Sequence, residues 1–287
     1  LEQVDLCQLD PVAQDRRLDQ LMQQQADTGF DLQTDLLLRG TLVKLRDTEA
    51  VQEHAFIGAM HHIVSDGWSL NVMTAELMAC YQSHLTQQPA RLPTLDIQYV
   101  DVAAWQRQWL RGEVLAEHLE YWRGQLDNEG RVLQLQPDRP RPRVMTSHGR
   151  AVHQRIDRNT AEAARKLARE EGATLFMVLV AAYQLLFHKY TGQNRINVGT
   201  PIAGRDSVET EQLIGFFINT VVLSSELHAE LNGRELLRQV RDVTLGAYSH
   251  QALPFEKLVE ELRPPRDSSR TPFFQVFLNL LNLQEIA

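Results

Sequence analysis

The chain has 287 residues, of which 43% are hydrophobic, so it is long and apolar enough to bury a sizeable core. Its formal net charge of −8 argues against a nucleic-acid-binding protein, whose contact surface would be basic. Two cysteines are too few for a disulfide framework and favour a reducing, cytoplasmic location. No apolar run has the length of a membrane span, and no signal peptide is recognisable. Because the first residue is not Met, we expect an internal fragment of a longer protein.

The first half of the sequence predicts helices and one β-hairpin. A helix over 11–26 follows Asp10 as N-cap and has Pro11 in its first turn. A strand over 36–45, a polar turn over 46–50 and a second strand that ends at two histidines predict an antiparallel hairpin. A helix is expected from Ser69 to about His84, and a helical stretch, interrupted near Gly112, over 96–126.

The second half begins after a proline-rich segment, which predicts an interlobe linker. We therefore expect an N-terminal lobe over 1–136, a linker over 137–149 and a C-terminal lobe over 150–287. The elements predicted in that lobe are a strand over 150–156, helices over 160–171 and 175–190, strands over 196–201 and 216–223, helices over 234–248 and 255–262, and a last strand over 273–280. This order indicates two α/β lobes, and no repeat of solenoid type is present.

The adjacent histidines His61 and His62 stand where the apolar strand ends; Asp66 follows four residues after His62, and Gly67 comes next. Two interpretations are open on these residues alone: packing at a strand end, or a titratable group that faces a cleft. A metal site is disfavoured, because neighbours on a strand point to opposite faces and no Cys or Glu cluster stands nearby.

The run 60–69 resembles the central HHxxxDG block of condensation domains of nonribosomal peptide synthetases, and the residues around it narrow a pattern that is shared by chloramphenicol acetyltransferase-like acyltransferases. Further runs resemble later blocks of that family in the same order: 99–106, 199–205, 214–220, 250–256 and 266–272. Two departures are Val102, where the family has an aromatic residue, and Ala252, where it has Asp.

The resemblance implies an α/β (α+β two-layer) fold in which two chloramphenicol acetyltransferase-like lobes form a V around the active site. Two opening blocks of the family and the segment that latches the second lobe onto the first are not found, so we expect a domain that is incomplete at both ends. The resemblance assigns Asp66 an ion-pair partner in one of those opening blocks. A buried carboxylate without its partner costs several kcal/mol, so Asp66 is expected to be solvated, protonated or rearranged, and the isolated fragment to be inactive.

The implied activity is amide-bond formation between a donor acyl or peptidyl thioester and an acceptor aminoacyl thioester. Both substrates are carried on phosphopantetheine arms of upstream and downstream peptidyl carrier domains, beside an adenylation domain. The resemblance implies no cofactor bound by the domain itself, no metal, no nucleic acid and no membrane. The candidate catalytic residues are His62 as general base, His61 on the opposite strand face, Asp66, and Gly67, whose amide is expected to face the thioester.

Four other residues are candidates for lining the substrate channel: Trp68, Ser69, Asn219 and Arg270. For Trp68 and Ser69 the alternative is packing and helix capping, and for the other two a structural role. Three residues are assigned to maintenance of the fold: Tyr99, Asp101 and Trp105.

Several alternatives stay open: other subtypes of the same family, another class of acyltransferase, and a protein without catalytic activity. The residue types at positions 60–69 and 214–223 resemble those of condensation domains that accept an L-configured donor. They differ from those of epimerising and heterocyclising relatives. A free acetyltransferase that uses coenzyme A would not show the downstream blocks. The alternatives without catalysis are two. One is a module that docks carrier proteins or recruits a tailoring enzyme, and the other is an inactive truncated fragment.

Overall fold

The computed structural model describes residues 1–48, 51–126, 132–146 and 148–281. The strands are β1 (Glu2–Asp5), β2 (Leu38–Asp47), β3 (Gln52–Met60), β4 (Arg195–Ile202) and β5 (Asn219–Glu226). The helices are α1 (Pro11–Asp27), α2 (Gly67–Thr86), α3 (Tyr99–Trp109), α4 (Gly112–Gln125), α5 (Arg158–Glu170), α6 (Leu175–Thr191), α7 (Val208–Glu211), α8 (Gly233–Ser249) and α9 (Phe255–Leu262). A 3₁₀ helix over His62–Val64 separates β3 from α2.

The chain divides into two compact units. The first comprises Leu1–Asp101 together with Arg205–Phe217, and the second comprises the described residues of Val102–Gly204 and Ile218–Ala287. The structure therefore groups residues 102–126 with the second unit, whereas the sequence places them in the first lobe. The predicted lobes 1–136 and 150–287, with their linker over 137–149, stay a prediction.

The first unit is built on a three-stranded sheet of order β1-β2-β3. β1 runs parallel to β2, and β2 pairs antiparallel with β3, so the predicted hairpin is confirmed; the last two residues of its predicted turn lie outside the described residues. Helix α1 packs on β3 and contributes Leu21 to a small core with Leu6 and Val43. The Asp10 carboxylate accepts a hydrogen bond from the Ala13 amide, as the predicted N-cap requires.

The second unit holds the larger core. The antiparallel pair β4 and β5 is packed by α6 and α8, and the central valines Val198, Val222 and Val240 are almost fully buried. Gln184 of α6 lies in this core and donates hydrogen bonds to the carbonyls of Ile196 on β4 and Leu223 on β5. These bonds pair the Gln184 NH₂ group and link the helix to both strands, whereas among the described residues the buried Gln184 Oε1 has no hydrogen-bond partner.

Two predicted strands of the second half are wrong, and a third is shifted. Residues 150–156 are exposed and not a strand. Residues 273–280 form one isolated parallel bridge, Gly199 with Phe277, in place of a strand. Here Phe273 has a left-handed φ of 65°, which is incompatible with extended strand geometry. The strand predicted over 216–223 begins at Asn219; Phe216 and Phe217 belong to the first unit instead.

None of the described helices is by itself long and apolar enough to cross a bilayer. Helices α5 and α6 satisfy the length and composition test only as a pair, and that pair is bent by 107°.

Candidate active site

The two histidines of the HHxxxDG run lie in a 3₁₀ turn that follows β3. The strand ends at Met60, and the amide of His61 donates a hydrogen bond of 2.9 Å to the carbonyl of Leu37. His61 then caps the turn, because its Nδ1 accepts a hydrogen bond of 3.0 Å from the Ile63 amide. The prediction that both residues alternate on a strand is therefore wrong. His61 holds the turn in shape through its own ring.

His62 is the first residue of that turn, and its side chain is exposed. Its ring lies edge-to-face with Phe216, with 5.4 Å between centroids and 78° between planes. Within the described residues, no hydrogen bond from a protein group reaches the ring nitrogens of His62. Both ring nitrogens are therefore available to a group that binds beside the turn.

Asp66 stands four residues later at the N-terminus of α2. Its side chain is 4% exposed, and its Oδ1 accepts a hydrogen bond of 2.8 Å from the Ser69 amide, which makes Asp66 the helix cap. The predicted cap, Ser69, is the third residue of the helix instead. Oδ2 accepts a hydrogen bond of 3.0 Å from the amide of Phe217.

The carboxylate of Asp66 is paired with Arg205 across 3.2 Å, and the arginine side chain is 1% exposed. The expectation that Asp66 lacks its ion-pair partner is therefore wrong. The pairing needs no residue upstream of β1, because the segment 205–217 belongs to the first unit and Arg205 is its first residue. Burial removes both charges from water, which costs free energy, and among the described residues Arg205 Nε is buried without a hydrogen-bond partner.

Burial by itself raises the pKa of Asp66, since it disfavours the charged form. Hydrogen bonds from the Ser69 amide and hydroxyl, the Phe217 amide and the charge of Arg205 oppose it and hold the pKa below its ordinary value. Asp66 is therefore ionised at neutral pH.

Ser69 is the centre of the network around Asp66. It is fully buried, and its hydroxyl lies 2.8 Å from Asp66 Oδ1 and 2.9 Å from the Gly215 carbonyl, one of which receives its single proton. The same oxygen accepts hydrogen bonds from the Gly215 amide at 3.0 Å and from Arg205 at 2.9 Å. A residue with no exposed surface does not line an open channel, so the prediction for Ser69 is corrected.

Arg205 holds the returning segment in a closed loop. Its guanidinium donates to the carbonyls of Thr210 and Leu213, the latter at 2.8 Å. It also lies 4.0 Å from the centre of the Phe217 ring, a cation–π arrangement. Arg205 thus links the segment 205–217 to α2 through its ion pair with Asp66, and it stabilises the segment itself through the two backbone carbonyls.

Tyr99 packs on this loop from the start of α3. Its hydroxyl donates a hydrogen bond of 2.9 Å to the Phe216 carbonyl, and its ring meets Phe217 edge-to-face at 5.1 Å. Burial of the phenol, and then the charge of Asp66, raise the pKa of Tyr99. The contact is so close that a Cβ on Gly215 would lie 2.3 Å from the ring. Asp101 accepts a hydrogen bond of 2.8 Å from the Gln98 amide at the same helix start.

Gly67 and Trp68 form the exposed first turn of α2. A Cβ on Gly67 would meet no atom within 4 Å, so the space outside its backbone is open. Trp68 is 45% exposed, and its indole nitrogen donates a hydrogen bond of 2.8 Å to the Glu211 carbonyl. It therefore fixes the returning segment and offers part of its ring to solvent.

The remaining candidates belong to the second unit. The Asn219 amide donates to the carbonyls of Gln251 and Leu253, both at 2.8 Å, and its oxygen accepts from the Phe255 amide at 2.9 Å, so it ties β5 to the start of α9. Arg270 is ion-paired with Asp267 at 3.5 Å and lines a cavity of about 830 Å³. Trp105 is 59% exposed and stacks on Trp109. A role for Asn219 and Arg270 in a substrate channel stays a prediction.

Among the described residues, no group of three or more His, Cys, Asp or Glu side chains is placed to hold a metal ion.

The family model for the condensation domain matches residues 1–286, which is nearly the whole chain. The chain belongs to the condensation-domain family. The family resemblance of the HHxxxDG run and its companion blocks is thereby confirmed. The domain has the mixed α/β, chloramphenicol acetyltransferase-like fold of nonribosomal peptide synthetase condensation domains.

Known proteins similar to this condensation domain include a linear gramicidin synthase component of Brevibacillus parabrevis, 46% identical over 283 residues, which are 99% of this chain and 6% of that protein. Malpinin synthetase of Mortierella alpina is 39% identical over 95% of this chain and 4% of its own length. The condensation domain therefore spans only a small part of the curated relatives it matches. Among solved structures, one described as the complex of the X-domain and OxyB from teicoplanin biosynthesis matches with a TM-score of 0.85 at 25% identity, covering 96% of this chain and 59% of that chain.

Sequence reasoning gave no site role to three residues that contact Asp66 or His62 in the structure: Arg205, Phe216 and Phe217. Arg205 closes the run 199–205 and stands 139 positions after Asp66, so only the folded chain reveals their pairing. The available signal is an arginine three residues after β4, within a run that already resembled the family.

Proposed function

We propose that this domain forms an amide bond between a donor acyl or peptidyl thioester and an acceptor aminoacyl thioester, each held on the phosphopantetheine arm of a carrier domain. The observation that carries the proposal is the exposed His62 imidazole, whose ring nitrogens receive no protein hydrogen bond within the described residues, next to an Asp66 that is buried and ion-paired. One group is free for proton transfer, and the other holds the surrounding backbone in place.

The reaction proceeds by attack of the acceptor amine on the donor thioester carbonyl carbon. His62 accepts a proton from the attacking nitrogen, the tetrahedral intermediate collapses with cleavage of the C–S bond, and the departing thiolate takes that proton back from His62. The Gly67 amide, at the exposed N-terminus of α2, is directed at the developing oxyanion, where a helix end favours negative charge. Base catalysis of this kind contributes roughly 10²–10⁴-fold.

Orientation of the two tethered substrates also raises the reaction rate, in addition to base catalysis. Well-oriented intramolecular reactions reach effective molarities of about 10⁵–10⁸ M, so a domain without His62 is expected to keep residual activity. In this proposal His61 and Asp66 are not proton carriers: each one holds a segment next to His62. Trp68, Asn219 and Arg270 are assigned to the substrate path.

The proposed setting is a longer cytoplasmic synthetase with a peptidyl carrier domain on each side and an adenylation domain as neighbour, and no cofactor bound by the domain itself. The donor is proposed to be L-configured, on the basis of the residues in 60–69 and 214–223. The high identity to a gramicidin synthase component of which this chain spans 6% supports the multidomain setting.

The test is direct product formation by the full-length protein that contains residues 1–287. Flanking carrier domains are loaded with a donor and an acceptor aminoacyl group, and the dipeptidyl thioester is measured by mass spectrometry. Product that depends on the domain supports the proposal. Absence of product, with binding of both loaded carriers retained, would overturn it.

A second candidate function is a non-catalytic docking module that recruits a tailoring enzyme. It is favoured by the likeness to the chain described as an X-domain in complex with OxyB. This alternative predicts that the domain retains a partner while substitution of His62 changes nothing measurable. Loss of product in a His62→Ala variant therefore separates the two functions.

A further inference from the structure

We propose that Phe216 is a positioning residue for His62, and that Asp66 acts on the reaction through it. This inference rests on the proposed function, because it takes His62 as the group that exchanges a proton with the substrate. Phe216 occupies the unspecified position of the Ile-Gly-x-Phe-Val-Asn-Thr block, so the family pattern assigns it no role.

The first observation is the ring contact. The Phe216 and His62 rings meet edge-to-face at 5.4 Å, the arrangement that aromatic quadrupoles favour. Within the described residues the His62 ring has no hydrogen bond to orient it. The ring of Phe216 is therefore a protein contact that favours one orientation of the imidazole.

The second observation is that the backbone carrying Phe216 is fixed at both polar atoms of one peptide group. The Phe216 carbonyl accepts a hydrogen bond of 2.9 Å from the Tyr99 hydroxyl. The nitrogen of the same peptide group, which belongs to Phe217, donates a hydrogen bond of 3.0 Å to Asp66 Oδ2. A peptide group held at its oxygen and at its nitrogen does not rotate freely, so the Cα of Phe216 keeps its place.

The residue before Phe216, Gly215, is also held by hydrogen bonds. Gly215 is buried, and both its amide and its carbonyl lie within hydrogen-bond distance of the Ser69 hydroxyl, at 3.0 and 2.9 Å. The half-buried Phe216 ring therefore projects from a backbone clamped on either side, toward the turn that carries His62. Asp66, bonded to this backbone through the Phe217 amide, has a route to His62 that needs no contact with the imidazole.

The consequence for the reaction is an effect on turnover rather than on stability. Phe216 is half-buried and outside the hydrophobic cores, so its truncation to Ala leaves the fold intact. Without the ring, the imidazole samples other orientations and the productive one is less populated. A misplacement of about 1 Å can cost roughly 10²-fold, and we expect Phe216→Ala to lower kcat about 10- to 100-fold with KM nearly unchanged.

The experiment is a double-mutant cycle in the full-length protein, with dipeptidyl product as readout. The variants are Phe216→Ala, His62→Ala and the double substitution, with Phe216→Tyr as the conservative variant that keeps the ring. Phe56→Ala is the matched control, since Phe56 is a 48% exposed phenylalanine on β3 of the same unit. Thermal unfolding of each variant is measured in parallel.

The expected result is that Phe216→Ala reduces kcat only while His62 is present, that Phe216→Tyr restores most of it, and that Phe56→Ala is unchanged. Equal losses from Phe216→Ala with and without His62 would overturn the inference, because a residue that acts through His62 has nothing to position once the imidazole is gone. Unchanged kcat in Phe216→Ala would also overturn it. If His62→Ala itself keeps full activity, the proposed function fails instead, so the two failures are distinguishable.

Discussion

Substitution of the buried ion pair between Asp66 and Arg205 gives a prediction whose size follows from the structure. The two side chains are 4% and 1% exposed, so removal of either partner leaves a charge that water does not reach. Breaking such a pair costs about 3–5 kcal/mol. Because the two substitutions leave different groups without partners, they are expected to fall at different ends of that range.

Arg205→Met is expected at the lower end, near 3 kcal/mol. The Asp66 carboxylate keeps the Ser69 amide, the Ser69 hydroxyl and the Phe217 amide as donors. Asp66→Ala is expected at the upper end, near 5 kcal/mol, because it also removes the helix N-cap, worth about 1 kcal/mol. It leaves the Phe217 amide without an acceptor as well. The double substitution is expected to cost about 1–3 kcal/mol less than the sum of the two single substitutions.

The assay is urea unfolding followed by Trp68 fluorescence, since Trp68 is the one tryptophan of the sequence within residues 1–101 and 205–217. Arg46→Met is the matched control, because Arg46 pairs with Glu53 while both side chains are more than half exposed. Exposed pairs contribute little, so its midpoint is expected to stay near that of the unsubstituted protein. A cost below about 1 kcal/mol for Arg205→Met, or strict additivity in the cycle, would refute the reasoning.

Two further predictions concern the same network. Since folding lowers the pKa of Asp66, the stabilising contribution of its carboxylate is complete above about pH 4 and is lost as the pH falls through the folded-state pKa. The difference in unfolding free energy between the unsubstituted protein and Asp66→Asn should therefore narrow below about pH 4. A difference that widens there would contradict the prediction. Gly215→Ala should destabilise by about 1–3 kcal/mol in thermal unfolding, because the new Cβ would lie 2.3 Å from the Tyr99 ring. Gly67→Ala, with no atom within 4 Å, is the control that should not destabilise, and equal effects of the two would refute the packing.

Sequence reasoning predicted most helices, the β2–β3 hairpin and the family because these depend on local patterns. Asp10 and Pro11 define the start of α1, and two strand-like runs joined by a short polar turn define the hairpin. The strand predicted over 273–280 failed because an apolar segment shows that it is buried without showing whether another strand pairs with it. The His pair was placed on a strand because no residue pattern separates the last strand residue from the turn that follows.

The candidate site shows the same division between local and long-range information. His62 was identified from its own motif, and its exposure in the structure agrees with a role at a surface. The partner of Asp66 was assigned by family likeness to an upstream block, whereas Arg205 occupies that place in the structure. An ion pair across 139 positions depends on where a loop returns in space, and one sequence does not contain that distance.

The most direct test of the central claim, that His62 is the acting group, is the rate of dipeptidyl product formation in a His62→Ala variant of the full-length protein. Both loaded carriers are supplied at saturation. His54→Ala is the matched control, because His54 is an exposed histidine on β3 in the same unit. The expected result is a loss of roughly 10²-fold or more for His62→Ala, with His54→Ala unchanged. A rate within about threefold of the unsubstituted protein for His62→Ala would contradict the claim that its imidazole takes part in proton transfer.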